Sequence, residues 1–351
     1  MRSNITVENL LHTEFDLTSL EIESIYNRIH IHCVYNLSDT SEIELLTKAY
    51  DANTLVIAWQ PVEIGHWEQS WIDKVNSWVT SSNCKFVFLT GAGHRANISD
   101  YLNINFEVIN FPVFDIRAKD IWSATSEVLQ PKAKSFTFIN RKDAIHRRYI
   151  LSCLHKNSLL EQGKVSFQQS EGDVFQQMHD LSTNVGFTVE DITEISKCQF
   201  EVPALPIILD HNNNANNLPR SVFGTLVLIA GETHFTQPMF SWQQSFVTEK
   251  SFASIANKQI LFVVGQAYSL ENIKLMGYRT FDSIIDESYD NIVEPGERLK
   301  AVSKEAVKFL NRPFEQIKAD YDLVQDILDY NYELLFKQNL SDRLQRLVNL
   351  L

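Results

Sequence analysis

The chain has 351 residues, 44% of them apolar, and a formal net charge of -13. That length accommodates two domains with separate cores, and the acidic balance excludes a general nucleic-acid coat, which needs clustered Lys and Arg, while leaving room for a local basic cleft. The four cysteines, Cys33, Cys84, Cys153 and Cys198, form no C-x-x-C pair, so they read as free thiols in a reducing cytoplasm rather than as a zinc site.

The N-terminal segment MRSNITVENLLHTEFDL lacks an apolar stretch of signal-peptide length. No window approaches the roughly 20 apolar residues of a membrane span. Strands are expected at residues 29–35 (IHIHCVY), 54–59 (TLVIAW), 85–89 (KFVFL) and 106–113 (FEVINFPV). Between the second and third, Trp67, Trp71, Val75 and Trp78 fall at helical spacing. They fit either a helix packing on a sheet or a platform on which a sugar stacks. Strand, helix, strand at this rhythm implies a parallel α/β sheet.

Residues 119–129 are expected to form a connecting helix, and 131–134 (PKAK) a linker. A second α/β series follows, with strands at 135–139 (SFTFI), 165–167, 222–230 (VFGTLVLIA), 259–264 and 278–281. Helices are expected at 144–160, 251–257 and 270–276. Residues 170–221 read as an irregular surface insertion containing an Asn-rich run at 210–217. Residues 297–312 and 314–349 are strongly helical, divided by Pro313. The expected domains are therefore 1–130, 131–312 and a C-terminal helical segment, 313–351.

The chain contains no G-x-G-x-x-G and no Walker motif, and the Gly-Ala-Gly-His turn at 91–94 has too few glycines for a dinucleotide fingerprint. No D-x-D metal signature is expected, and Asp282 and the run Asp286 to Asp290 lie elsewhere with the wrong spacing for one. The run Asp286 to Asp290 suits either a helix cap or a ligand cleft. Gly265 after ILFVV permits close backbone approach.

Two segments carry the chemistry. The stretch 231–250 reads G-E-T-H-F, then F-V-T-E-K after a gap. It places Glu232 at a strand end and Thr248, Glu249 and Lys250 at a helix start. Lys250 is suited to neutralise a diphosphate over that helix N-terminus. Glu249 is suited to hold a ribose or sugar hydroxyl, or simply to complement the helix dipole. Glu232 is either a hydroxyl ligand or a structural acceptor for a neighbouring loop, and Thr248 is a helix cap. The second segment, 140–148 (NRKDAIHRR), follows the SFTFI strand and enters a helix with Asn140, Arg141, His146, Arg147 and Arg148. A basic first turn opposes the helix dipole, which favours a bound anion there.

Together the two segments resemble the α-1,3-fucosyltransferase-type glycosyltransferases, in which an F-E-N-S-like strand end is followed by Y-V-T-E-K. Similar sequences occur in phage and bacterial glycosyltransferases. The likeness spans residues 135–290, with T-E-K the specific core. It implies a GT-B-like α/β fold: two Rossmann-like domains facing a cleft, with C-terminal helices crossing back. It also implies a GDP- or UDP-linked sugar donor and no other cofactor, with side-chain cations rather than a metal neutralising the leaving diphosphate. Asn140 resembles the family's Asn, and Arg147 or Arg148 its phosphate-binding Arg, with Arg147 favoured. Phe246 stands where the family has Tyr, and packing against the donor base is its expected role.

The base that deprotonates the acceptor is expected from the first domain, after a strand exit: Glu63 or His66, with His94 and Arg95 following the next strand. The expected function is a cytoplasmic, metal-independent, inverting glycosyltransferase of bacterial or phage origin acting on a glycan. One alternative is a phage DNA glycosyltransferase acting on a hydroxymethylated base, its groove lined by Lys85, Arg95, Arg117 and Lys119. Another is a non-catalytic nucleotide-sugar-binding protein.

Overall fold

A computed structural model describes residues 28–33, 54–60, 69–82, 84–90, 93–94, 106–111, 114–124, 128–140, 144–167, 220–235, 244–339 and 342–343. Within them the chain is α/β, with two four-stranded parallel sheets in two compact units. No helix among the described residues is long and apolar enough to cross a membrane.

Unit 1 comprises Met1–Arg117, Pro238–Phe246 and Gln338–Leu351. Its sheet runs in sequential order through β1 (Arg28–Cys33), β2 (Thr54–Gln60), β3 (Lys85–Thr90) and β5 (Glu107–Asn110), all parallel. Helix α1 (Gln69–Ser81) joins β2 to β3 and buries Ile72 and Val75. Trp78 meets Phe86 of β3 edge-on at 5.3 Å, so this member of the tryptophan stripe packs on the sheet. The short strand β4 (Gly93–His94) pairs antiparallel with β9 (Gln244–Ser245).

Helix α2 (Phe114–Ala124) starts and ends five residues before the expected 119–129. Asp115 in its first turn complements the dipole, whereas Val128 to Gln130 are non-helical and lead into the next strand. Asp115 is fully buried and takes both Nη atoms of Arg343, at 3.1 and 2.8 Å.

Unit 2 comprises Ala118–Gln237 and Val247–Lys337. Its strands are β6 (Lys134–Asn140), β7 (Gly163–Phe167), β8 (Thr225–Gly231) and β10 (Ile260–Val264), in the spatial order β10-β8-β6-β7. All seven residues of β8 and all five of β10 are buried, as a sheet covered on both faces requires. Five helices follow the strands or the chain end that succeeds them: α3 (Ile145–Lys156), α4 (Glu249–Ala256), α5 (Ser269–Leu275), α6 (Pro295–Leu310) and α7 (Phe314–Leu323). A sixth, α8 (Gln325–Lys337), is separated from α7 at Val324, which breaks the single helical region expected there.

Three boundaries differ from expectation for identifiable reasons. Helix α3 ends at Lys156 because Asn157 caps it and Ser158 turns left-handed at φ 57°. Residues 220–223 form a 3₁₀ turn rather than the start of β8. Residues 278–281 are not a strand: Asn331 of α8 supplies the backbone partners a neighbouring strand would have given. Its Oδ1 accepts from Arg279 N–H at 2.8 Å and its Nδ2 donates to Arg279 C=O at 2.7 Å. The Asn-rich run at 210–217 lies outside the described residues.

Candidate functional site

The order β10-β8-β6-β7 sends the connection after β6 one way across the sheet and the connection after β8 the other. That makes the carboxyl ends of β6 and β8 a topological switch point, where open α/β sheets take their ligands. Asn140 ends β6 and Gly231 ends β8. A Cβ on Gly231 would lie 2.6 Å from Asn140 Oδ1 and 3.1 Å from Arg147 Cγ, so glycine is what lets both side chains close over the strand end. Asn140 is buried, and neither its Oδ1 nor its Nδ2 has a hydrogen-bond partner. A bare buried amide is costly, at roughly 1–3 kcal/mol for an unmet group, and such groups mark places where a ligand or water belongs.

Glu232 is the hub of the strand end. Its N–H donates to Val264 C=O at 3.0 Å, extending the β8–β10 pairing. Its C=O accepts from Arg147 Nη2 at 2.9 Å and from His146 Nε2 at 2.9 Å. Its carboxylate, fully buried, accepts from Thr248 N–H, from the Thr248 hydroxyl and from Ser251 Oγ. The carboxylate thus already fills the N-terminus of α4. A diphosphate lying over that helix end, as the sequence suggested, would have to displace it.

Thr248 caps α4 as expected, accepting from Lys250 N–H. Lys250 Nζ donates to Thr233 Oγ1 at 3.0 Å, Thr248 Oγ1 at 3.1 Å and Glu249 Oε1 at 3.2 Å. Both Lys250 and Glu249 are partly exposed, at 22% and 19% of their side chains.

The first turn of α3 divides its basic residues. Arg147 turns to the end of β8, while the Arg148 guanidinium sits 5.7 Å over the Phe167 ring at the end of β7. His146 stacks on Phe235 at 4.9 Å and 8°. Burial first, then the charge of Arg147, pushes its pKa down to about 3, so it is neutral and donates through Nε2. Ala144, the N-cap of α3, has no side-chain acceptor to offer that helix end.

One group escaped the sequence reading. Arg298, fully buried, ties the strand exits together: Nε donates to Gly265 C=O at 3.0 Å, Nη1 to Ile292 and Val293 C=O at 2.8 Å, and Nη2 to Phe235 C=O at 2.6 Å. It sits 4.8 Å over the Phe235 ring, where the charges of Asp290 and Glu294 favour its ionised form, and its position in a charged helix start resembles an ordinary solvated face. Asp290 accepts from Leu270 and Glu271 N–H at 3.0 and 3.1 Å, capping α5 from 20 and 19 residues away. Asp286 caps the 3₁₀ turn at Glu287–Asn291. Asp286 and Asp290 of the acidic run are thus caps, while Glu287 accepts from the Thr280 hydroxyl and the Phe281 N–H and pairs with Lys274. Phe246, expected near a donor base, meets Phe114 edge-on at 5.2 Å within unit 1.

The sequence Asp320-Tyr321-Asp322 is a D-x-D, but it lies inside α7, with Asp320 on Arg312 at 2.6 Å and Asp322 on Lys318 at 2.8 Å. No cluster among the described residues has the makings of a metal site. Glu63, His66, Arg95 and Arg141 lie outside the described residues. His94 falls in β4, whose partner residue is Gln244. No family model, curated protein or solved structure matches this chain.

Proposed function

We propose that the chain transfers a sugar from a nucleotide-sugar donor, held in unit 2, to an acceptor hydroxyl. The observation that carries this reading is the bare, buried Asn140 amide at the β6/β8 switch point. Arg147 and Lys250 flank the same two residues, Glu232 and Thr233. Two cations on separate elements suit two phosphoryl groups, and in this reading they stabilise the diphosphate as it leaves. The N-termini of α4 and α5 are filled by Glu232 and Asp290, whereas α3 begins at Ala144 beside the switch point. In this reading the donor diphosphate lies against α3 rather than α4.

The sugar-transfer chemistry rests on the resemblance carried by Glu232 and T-E-K. Two parallel α/β units support a GT-B-like plan with unit 1 as the acceptor side. The grouping of Gln338–Leu351 with unit 1, pinned by Arg343 on Asp115, supports a C-terminal segment that crosses back. Glu63, or else His66, serves as the base in this scheme.

A thermal-shift series with UDP, GDP, CMP and their common sugars, without added metal, tests the reading. One nucleotide raises the unfolding midpoint, since a ligand of the native state must. Lys250→Ala removes that rise while keeping the ligand-free midpoint. Hydrolysis of the matching sugar nucleotide then separates transfer from mere binding. No shift with any nucleotide would sink the proposal.

A further inference from the structure

We infer that Glu232 is a positioning residue that fixes the Lys250 ammonium through the Thr248 hydroxyl. As a statement about donor binding, this rests on the reading above. A threonine hydroxyl has one proton to donate and two lone pairs to offer. Here the proton goes to the buried Glu232 carboxylate. Both lone pairs are thereby turned toward Lys250, whose N–H lies at 3.4 Å and whose Nζ lies at 3.1 Å.

The carboxylate cannot rotate away, because Thr248 N–H and Ser251 Oγ hold its other oxygen at 3.2 and 2.6 Å. The main chain of Glu232 cannot shift either, being held at its N–H by Val264 and at its C=O by His146 and Arg147. The same residue therefore sets the place of both candidate phosphate cations: Arg147 by its carbonyl, Lys250 by its side chain. Thr233, next in the chain, supplies the second oxygen on the Lys250 ammonium at 3.0 Å.

The experiment compares Thr248→Val, Thr248→Ser, Glu232→Gln and Ser251→Ala with the parent protein. Ser251→Ala removes a bond to the carboxylate without touching the relay, so it controls for general loosening of the helix start. The first readout needs no ligand: the rate at which limiting acetic anhydride acylates Lys250, normalised to the exposed Lys337 on α8. Thr248→Val and Glu232→Gln raise that ratio about fivefold, the equivalent of one net hydrogen bond. Thr248→Ser restores the hydroxyl and the parent ratio, and Ser251→Ala leaves it within about twofold. An unchanged ratio in Thr248→Val, or an equal rise in Ser251→Ala, overturns the inference.

The second readout is the Kd for GDP and UDP. Thr248→Val weakens binding about tenfold, and Ser251→Ala less than about twofold, a difference near one decade. Weakening that follows the loss of thermal stability across all variants would mean a merely structural role and overturn the inference. If the parent protein binds neither nucleotide while acylation follows the stated pattern, the positioning stands and the donor reading fails.

Discussion

Asn140 and Gly231 are the last residues of adjacent parallel strands, and the side chain of one occupies the space a Cβ on the other would need. With 2.6 Å between that Cβ and Asn140 Oδ1, Gly231→Ala forces Asn140 and Arg147 apart. Overpacking of this kind costs about 1–3 kcal/mol. Urea denaturation of the variant is expected to show a lowered midpoint at an unchanged slope. The thermal response to nucleotide should vanish even where the variant is fully folded.

His146 gives the fold a pH signature. Its folded pKa, about 3, lies below the ordinary imidazole value of 6.5, so the unfolded chain binds the proton more readily between those limits. Stability therefore falls as pH drops through that window, by up to about 1.4 kcal/mol per pH unit for one linked proton. Asp290 acts oppositely: its pKa is raised from 3.8 to about 6, mainly by burial, so its contribution grows as pH falls through that range. His146→Gln keeps an N–H donor for the Glu232 carbonyl and removes the first effect. Denaturation from pH 7 to pH 4 should show the variant gaining relative to the parent as pH falls; parallel curves would rule out the neutral buried imidazole.

Asn331 substitutes for a strand along residues 278–281. Asn331→Ala leaves Arg279 N–H and C=O without their partners, at roughly 1–3 kcal/mol. Hydrogen exchange at Arg279 is expected to accelerate well beyond that of the β8 amides. Equal protection in parent and variant would show that water or another group takes over the role.

In unit 1, Arg343→Ala strands the fully buried Asp115 carboxylate, and breaking a buried pair from one side costs about 3–5 kcal/mol. Adding Asp115→Asn should recover much of this, because the neutral amide needs no counter-charge. A double-mutant cycle with no coupling would mean the pair contributes nothing to unit 1.

The strands of both sheets were readable in the sequence because β2, β3, β8 and β10 are near-continuous apolar runs, the mark of sheets covered on both faces, while β6 alternates Phe with Ser and Thr. The cap at Thr248 was readable from local spacing. What escaped depends on partners far along the chain. The false strand at 278–281 has strand-like composition but pairs with a side chain 52 residues on. Arg298 draws its acceptors from three separate loops, and the particular helix that Asp290 caps lies earlier in the chain.

Glu232 is occupied at its N–H, its C=O and its carboxylate by three different segments of the chain. Selection for folding alone would retain it, and Thr248 with it, in a descendant that had lost every activity. Asn140 is the reverse case, since its amide gives the folded chain nothing in return for being buried. Among relatives of this protein, loss of the asparagine should therefore mark loss of the ligand, while persistence of the glutamate and threonine would mark only persistence of the fold.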